Sequence, residues 1–164
     1  YCNLLADQLT LNPDDKRDLI YAAYLHDIGK INIAENILVK TEPLTAEEWV
    51  ILKNHPQYAV DIIKNNTIFA EIKPIILQHH ERYDGTGYPC GLKGEDIHYL
   101  ARLLTVVDAF DAMTSLRPYQ KKKTYAEALE ELVLCSGTQF DPEAVKAFIY
   151  CMEKRNGNRN GSDY

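Results

Sequence analysis

Cysteine and histidine are both sparse in this chain, with four of the first and five of the second. The four cysteines among 164 residues, Cys2, Cys90, Cys135 and Cys151, lie far apart and form no CxxC pair. That argues against a zinc knuckle and against a disulfide framework, and it fits a reducing, cytoplasmic setting. No apolar run approaches the roughly 20 residues of a membrane span, and no signal peptide is visible. A basic face is also missing: the formal net charge is −6, and Lys121-Lys122-Lys123 is the one short basic run. Wrapping a nucleic-acid polymer takes many Lys and Arg contacts, so that partner is disfavoured. A small anionic substrate stays open, because bound metal ions would supply the missing positive charge. There is no repeat, and no strand signal stronger than the short run NILV at 36–39.

What is present describes a single soluble domain. Hydrophobic residues make up 46% and charged residues 26% of the chain, ordinary globular proportions at a length that buries a real core. Residues 1–154 are assigned to one domain, and the polar, Gly/Asn-rich stretch 155–164 to a disordered tail. The chain opens on Tyr1 inside a pattern that already reads as helix, which suits a piece of a longer protein with a segment missing upstream.

Helix signals follow one another along the chain. Asn12-Pro13 supplies a capping side chain and a proline for the first turn. Leu19, Ile20, Ala23 and Tyr24 mark one face of that helix, and His26-Asp27 falls at its end, before Gly29. Thr45 and Glu48 form a capping box for a helix expected to run to His55, where Pro56 makes it end or bend. A helix from about Pro74 carries Ile76, with His79 and His80 at i+3 and i+4. Those two histidines border one inward stripe while diverging from each other, so they suit a site larger than a single ion. The stretch Asp84–Gly94 holds four glycines and one proline and reads as a turn-rich loop. LARLLTVVDAFDAM returns to helix with Asp108 among its buried positions, and His98 reads as solvent-facing at its start. Thr124 to Glu127 is a second capping box, and Asp141-Pro142 opens a last helix. The fold class is all-α.

Nitrogen and carboxylate donors thus sit beside apolar faces at His26-Asp27, His55, His79-His80 and Asp108. Buried imidazoles and carboxylates need partners, and metal ions serve several at once. Asp27 has two oxygens and could bridge two ions, while the diverging histidines could each take a different one. N and O donors without thiolate suit Fe, Mn or Zn. Two ions about 3.5–4 Å apart would hold a bridging hydroxide for in-line attack on phosphorus, with Lys30 and Arg117 as cations for a phosphate. Each residue also has a plainer reading. A histidine before proline commonly bonds helix-end backbone, a mid-helix aspartate commonly pairs with Arg or Lys, and lone cations are commonly solvated.

The strings AAYLHDIGKI and HHERYDGTGYP resemble the HD-GYP family, the subgroup of HD-domain phosphohydrolases that hydrolyses cyclic di-GMP. The resemblance continues through LTAEEWVILKNHP, GLKGEDI, ARLLTVVDAFDAMTS and GTQFDPEAV, over about residues 17–150. An HD pair alone is a weak signal, but the HHxxxDGxGYP string is highly specific. The resemblance implies an all-α HD-domain helical bundle and a metal-dependent cyclic dinucleotide phosphodiesterase using a metal-bridged hydroxide. It implies metal ligation by His26, Asp27, His55, His79, His80 and Asp108, with Asp27 bridging and two or three divalent ions, Fe or Mn foremost. Lys30 resembles the lysine near the substrate phosphates, Arg117 the arginine that contacts the nucleotide, and Lys121 a stand-in for a basic residue where Gln120 stands. Asp84, Gly85, Gly87, Tyr88 and Pro89 form the naming loop, which shapes the site or contacts a partner protein. The implied product is linear pGpG, hydrolysed on to GMP in some members. A further ligating histidine of the family pattern would fall just before Tyr1, and a receiver or sensor domain would precede it. A homodimer is among the assemblies this allows. Two rival readings stand beside it: an HD phosphohydrolase for another cyclic dinucleotide, and a catalytically silent nucleotide- or partner-binding module.

Overall fold

A computed structural model describes residues 1–115 and 122–159, with side chains through Arg155. Among the described residues the regular structure is helical, with a single isolated bridge between Ser136 and Phe140 and no strand. The helices are α1 (Cys2–Gln8), α2 (Pro13–Leu25), α3 (Glu35–Leu38), α4 (Ala46–Lys53), α5 (His55–Ile63), α6 (Lys73–Gln78), α7 (Tyr99–Thr114), α8 (Tyr125–Leu134) and α9 (Pro142–Arg159). The NILV run lies at the short α3, where four residues without a partner strand cannot form sheet.

The caps read from sequence are made. Asn12 Oδ1 accepts from the backbone amides of Asp14 and Asp15 at 3.0 and 2.9 Å. Thr45 with Glu48 and Thr124 with Glu127 both close reciprocal capping boxes. His98 is the cap of α7, half-buried rather than solvent-facing: its Nδ1 accepts from Leu100 N at 3.2 Å.

Three boundaries depart from expectation. The helix expected through His55 ends at Lys53, and His55 is instead the first residue of α5. Pro56 decides this, because a proline fits the first turn, whose N–H groups have no intrahelical partner. Helix α6 stops at Gln78, with His79 as its cap still at helical φ and ψ of −67° and −10°. Helix α9 reaches Arg159, so five residues assigned to the tail continue the helix, while 160–164 lie outside the described residues.

Helix α7 is the axis of the bundle. It buries Leu100, Ala101, Leu103, Leu104, Val106, Val107 and Phe110 and packs against α1, α2, α6, α8 and α9. Phe110 is fully enclosed, with Tyr1 and Phe148 set edge-on at 5.3 and 5.0 Å between ring centroids. On the opposite flank, α5 packs on α6 and on the 3-10 turn Ile28–Asn32. Gly29 permits that second contact: a Cβ there would stand 2.0 Å from the carbonyl oxygen of His55. The ends of α2 and α6, the start of α5 and the middle of α7 therefore meet in one place.

Candidate metal centre

Three histidines share one device. His26 Nδ1 meets the carbonyl oxygen of Ala23 at 2.9 Å, His55 Nδ1 that of Leu52 at 2.8 Å, and His79 Nδ1 that of Ile76 at 2.6 Å. A carbonyl can only accept, so Nδ1 carries the hydrogen, and in each neutral ring Nε2 is left with a lone pair. Each carbonyl lies three residues back, so helical or near-helical backbone at the histidine builds the bond locally.

The Nε2 atoms face inward. Those of His55 and His79 stand 3.4 Å apart, and His55 Nε2 is 3.4 Å from Asp27 Oδ1. Asp27 Oδ1 is buried and has no hydrogen-bond partner. Burial holds His55 below its ordinary pKa, and burial with the charges of His80 and His26 holds His79 well below it. Burial likewise presses His80 down to about 4. Three acceptors thus converge with no proton between them, an arrangement that costs free energy unless a cation satisfies it. Within the described residues, His55, His79 and His80 can offer ligand atoms that all lie within 4.8 Å of one another, and so can His26, Asp27 and His79. The two groups share His79. The donor set, nitrogen and carboxylate oxygen without sulfur, fits a divalent ion of the Fe, Mn or Zn kind.

His26 differs from the others. Its Nε2 lies 3.6 Å from both Asp27 Oδ2 and Asp108 Oδ1. Burial presses its pKa down, but the neighbouring Asp108 carboxylate and the charge of Asp27 outweigh that, and the net shift is upward. Burial would raise the Asp108 carboxyl, yet His26 pulls it to about 2. Lys30 Nζ donates to Asp27 Oδ2 at 2.7 Å, which leaves Oδ1 free.

The structure therefore brings His26, Asp27, Lys30, His55, His79, His80 and Asp108 together. Within the naming loop, Tyr88 stacks on His80 at 4.9 Å and 27° between ring planes, while Pro89 is exposed after a cis peptide bond. Asp84 serves the loop itself: it accepts from Thr86 N at 2.9 Å and from Arg82 at 3.0 Å, contacts that hold its carboxyl well below the usual range. Gly85 has φ +87°, a conformation that glycine adopts without strain. Arg117 and Lys121 lie outside the described residues.

Sequence reasoning missed Thr105 and Glu81. Thr105 Oγ1 donates to the carbonyl of His79 at 2.8 Å, one helical turn before Asp108. Glu81 is 2% exposed and holds two amides of the loop. Its place beside the paired histidines was a hint; its burial had no local signal. A cleft of about 400 Å³ flanks the centre, lined by Tyr24, His26, Asp108 and Asp111 among others.

A family model described as the HD domain matches residues 1–144. The chain belongs to the HD-domain family. The HD-GYP resemblance drawn from its motifs agrees with its relatives. This HD domain is 42% identical over 148 residues to the cyclic di-GMP phosphodiesterase response regulator RpfG of Xanthomonas campestris, an alignment covering 89% of this chain and 39% of that protein. It is 35% identical over 151 residues to 3'3'-cGAMP-specific phosphodiesterase 2 of Vibrio cholerae, covering 91% of this chain and 29% of that one. The chain thus spans about two fifths or less of the length of these relatives. Among solved structures, Bd1817, an HDG"Y"P protein from Bdellovibrio bacteriovorus, superposes with a TM-score of 0.71 at 24% identity, over 91% of this chain and 48% of that one. That likeness shows the all-α HD-domain bundle. No helix among the described residues is long and apolar enough to cross a membrane.

Proposed function

We propose that this HD domain is the catalytic part of a metal-dependent phosphodiesterase that hydrolyses cyclic di-GMP to linear pGpG and onward to GMP. The observation that carries this reading is the convergence of unprotonated acceptors: Nε2 of His55 and His79 with the partnerless Oδ1 of Asp27. His26, Asp27, His55, His79, His80 and Asp108 would hold two or three divalent ions, iron or manganese foremost. When bound, such ions lower the pKa of water and neutralise charge building on the phosphoryl oxygens.

The chain's own residues do the rest. The backbone carbonyls of Ala23, Leu52 and Ile76 keep three imidazoles in one tautomer, so each presents a lone pair without reorganising. Asp27 offers two oxygens toward different neighbours, the geometry of a bridging carboxylate. Lys30, tethered to Asp27 at 2.7 Å, stands where its ammonium can also meet a phosphate oxygen. Arg117 and Lys121 are proposed to bind the substrate phosphates, and the naming loop to meet a partner protein.

A second reading has one observation in its favour. A relative at 35% identity is named for 3'3'-cGAMP, and the ligand set is indifferent to the base. A mixed cyclic dinucleotide is therefore the alternative substrate.

The test is turnover of both cyclic dinucleotides by anaerobically metallated protein, wild type against Asp27→Ala. The expected result is hydrolysis by the wild type and at least a roughly 100-fold loss in the variant, the scale set by disturbing a metal's ligand environment. Equal turnover in both would refute the reading. A wild type that binds nucleotide and leaves it intact would favour the silent signalling module.

A further inference from the structure

Glu81 follows the paired histidines directly and is 2% exposed. One carboxylate oxygen accepts from Cys90 N at 2.6 Å, the other from Leu92 N at 3.1 Å. Both donors lie beyond Pro89, so this buried anion closes residues 82–89 into a loop at its base. Charge-assisted bonds of this kind are stronger than neutral ones. The loop is cinched again inside that latch. Tyr88 N donates to the carbonyl of His80 at 3.2 Å. Gly87 lies so close to the loop's start that a Cβ would stand 2.2 Å from Arg82 N and 2.6 Å from Glu81 Cα. The outcome is the stack of Tyr88 on His80.

His80 needs such a backstop. The rings of His26, His55 and His79 are each oriented by a carbonyl three residues back. No hydrogen bond of that kind orients His80 among the described residues. The aromatic rings packed against it are His79 at 4.0 Å, His55 at 4.9 Å and Tyr88 at 4.9 Å between centroids. The first two are fellow members of the candidate ligand group, so among the described residues the aromatic support from outside that group comes from Tyr88.

We propose that Glu81 is a positioning residue: by latching the loop through Cys90 and Leu92, it holds Tyr88 as the backstop that aims His80 into the metal centre. This rests on the metal-centre reading above and adds to it a residue and a route of action.

The test measures Mn²⁺ binding to metal-stripped protein by calorimetry, with thermal unfolding on the same samples. The proteins are wild type, Glu81→Gln, Tyr88→Ala, Tyr88→Phe and the Glu81→Gln/Tyr88→Ala double variant. Glutamine keeps the size of Glu81 but has one oxygen, so one of the two amides loses its acceptor. Glu81→Gln and Tyr88→Ala should each weaken Mn²⁺ binding about tenfold, the low end for removing a ligand's orienting partner. Tyr88→Phe keeps the ring and should bind as wild type does. The double variant should bind no more weakly than either single, because both act through one element.

A Glu81→Gln protein that melts earlier yet binds Mn²⁺ as well as wild type would overturn the inference, leaving Glu81 a merely structural residue. Multiplying losses in the double variant would also overturn it, since Glu81 would then not act through Tyr88. Should Glu81→Gln fail to fold, Tyr88→Ala against Tyr88→Phe still tests the backstop, and equal affinities overturn it. A wild type that takes up no Mn²⁺ overturns the metal-centre reading itself, an outcome distinct from the others.

Discussion

Replacing Gly29 with alanine would place a methyl carbon 2.0 Å from the carbonyl oxygen of His55 and 2.5 Å from the amide nitrogen of Ala59. Ordinary contact begins near 3.4 Å, and both obstacles are backbone atoms of α5 that no rotamer change removes. The turn Ile28–Asn32 and α5 must separate by roughly an ångström, and overpacking on that scale costs about 1–3 kcal/mol. The same displacement reaches the metal centre. Asp27 precedes the turn and His55 opens α5, and their facing atoms are now 3.4 Å apart. Gly29→Ala should therefore lower the urea midpoint at unchanged slope and also weaken Mn²⁺ uptake about tenfold or more. Gly94→Ala is the control. Its φ is +58° but no heavy atom lies within 4 Å, so it should cost about 1–2 kcal/mol through backbone strain alone and leave Mn²⁺ binding unchanged. A Gly29→Ala protein within about 0.5 kcal/mol of wild type and binding Mn²⁺ equally would refute the reasoning, since surface changes alone stay in that range.

Acidification should destabilise the metal-free protein. Burial holds His80 at about 4 and holds His55 and His79 below their ordinary value. Between pH 6.5 and 4 the unfolded chain therefore binds more protons than the folded one, so stability falls as pH falls, with a His80 share of about 3 kcal/mol across the window. His26 opposes this: its raised pKa contributes stability below pH 6.5 that is lost as pH rises through its folded value. Urea titrations in chelator at pH 7 and 4.5 measure the net slope; His80→Gln should flatten it, and an identical slope in both proteins would contradict the assignment. In the core, Phe110 is 0% exposed under Tyr1, Tyr125 and Phe148. Phe110→Ala should cost about 3–5 kcal/mol in chemical unfolding, and a loss under about 1 kcal/mol would mean the site collapses around the missing ring.

Features built from near neighbours were legible in the chain. Asn12 before Pro13, Thr45 with Glu48 and Thr124 with Glu127 make caps from atoms three residues apart, so composition and spacing suffice for them. The histidine–carbonyl bonds are equally local, yet which residue each helix ends on was not legible. Pro56 was read as stopping a helix at His55, whereas it begins the next one, and both roles obey the same steric rule. The burial of Glu81 was not legible either. A glutamate two residues before Tyr83 looks solvated until Cys90 and Leu92 fold back to supply its donors.

The sequence alone determined an all-α chain, an N/O ligand inventory without thiolates, and a motif pair specific enough to name a family. It could do so because helix periodicity, caps and residue chemistry are written within a turn or two of each position. Only the tertiary structure decided that His26 and His79, at the ends of α2 and α6, meet His55 of α5 and Asp108 of α7 in one place. That outcome depends on how closely backbones approach, as at Gly29 against α5. Such approaches are set by packing between residues distant in the chain, which no local pattern encodes.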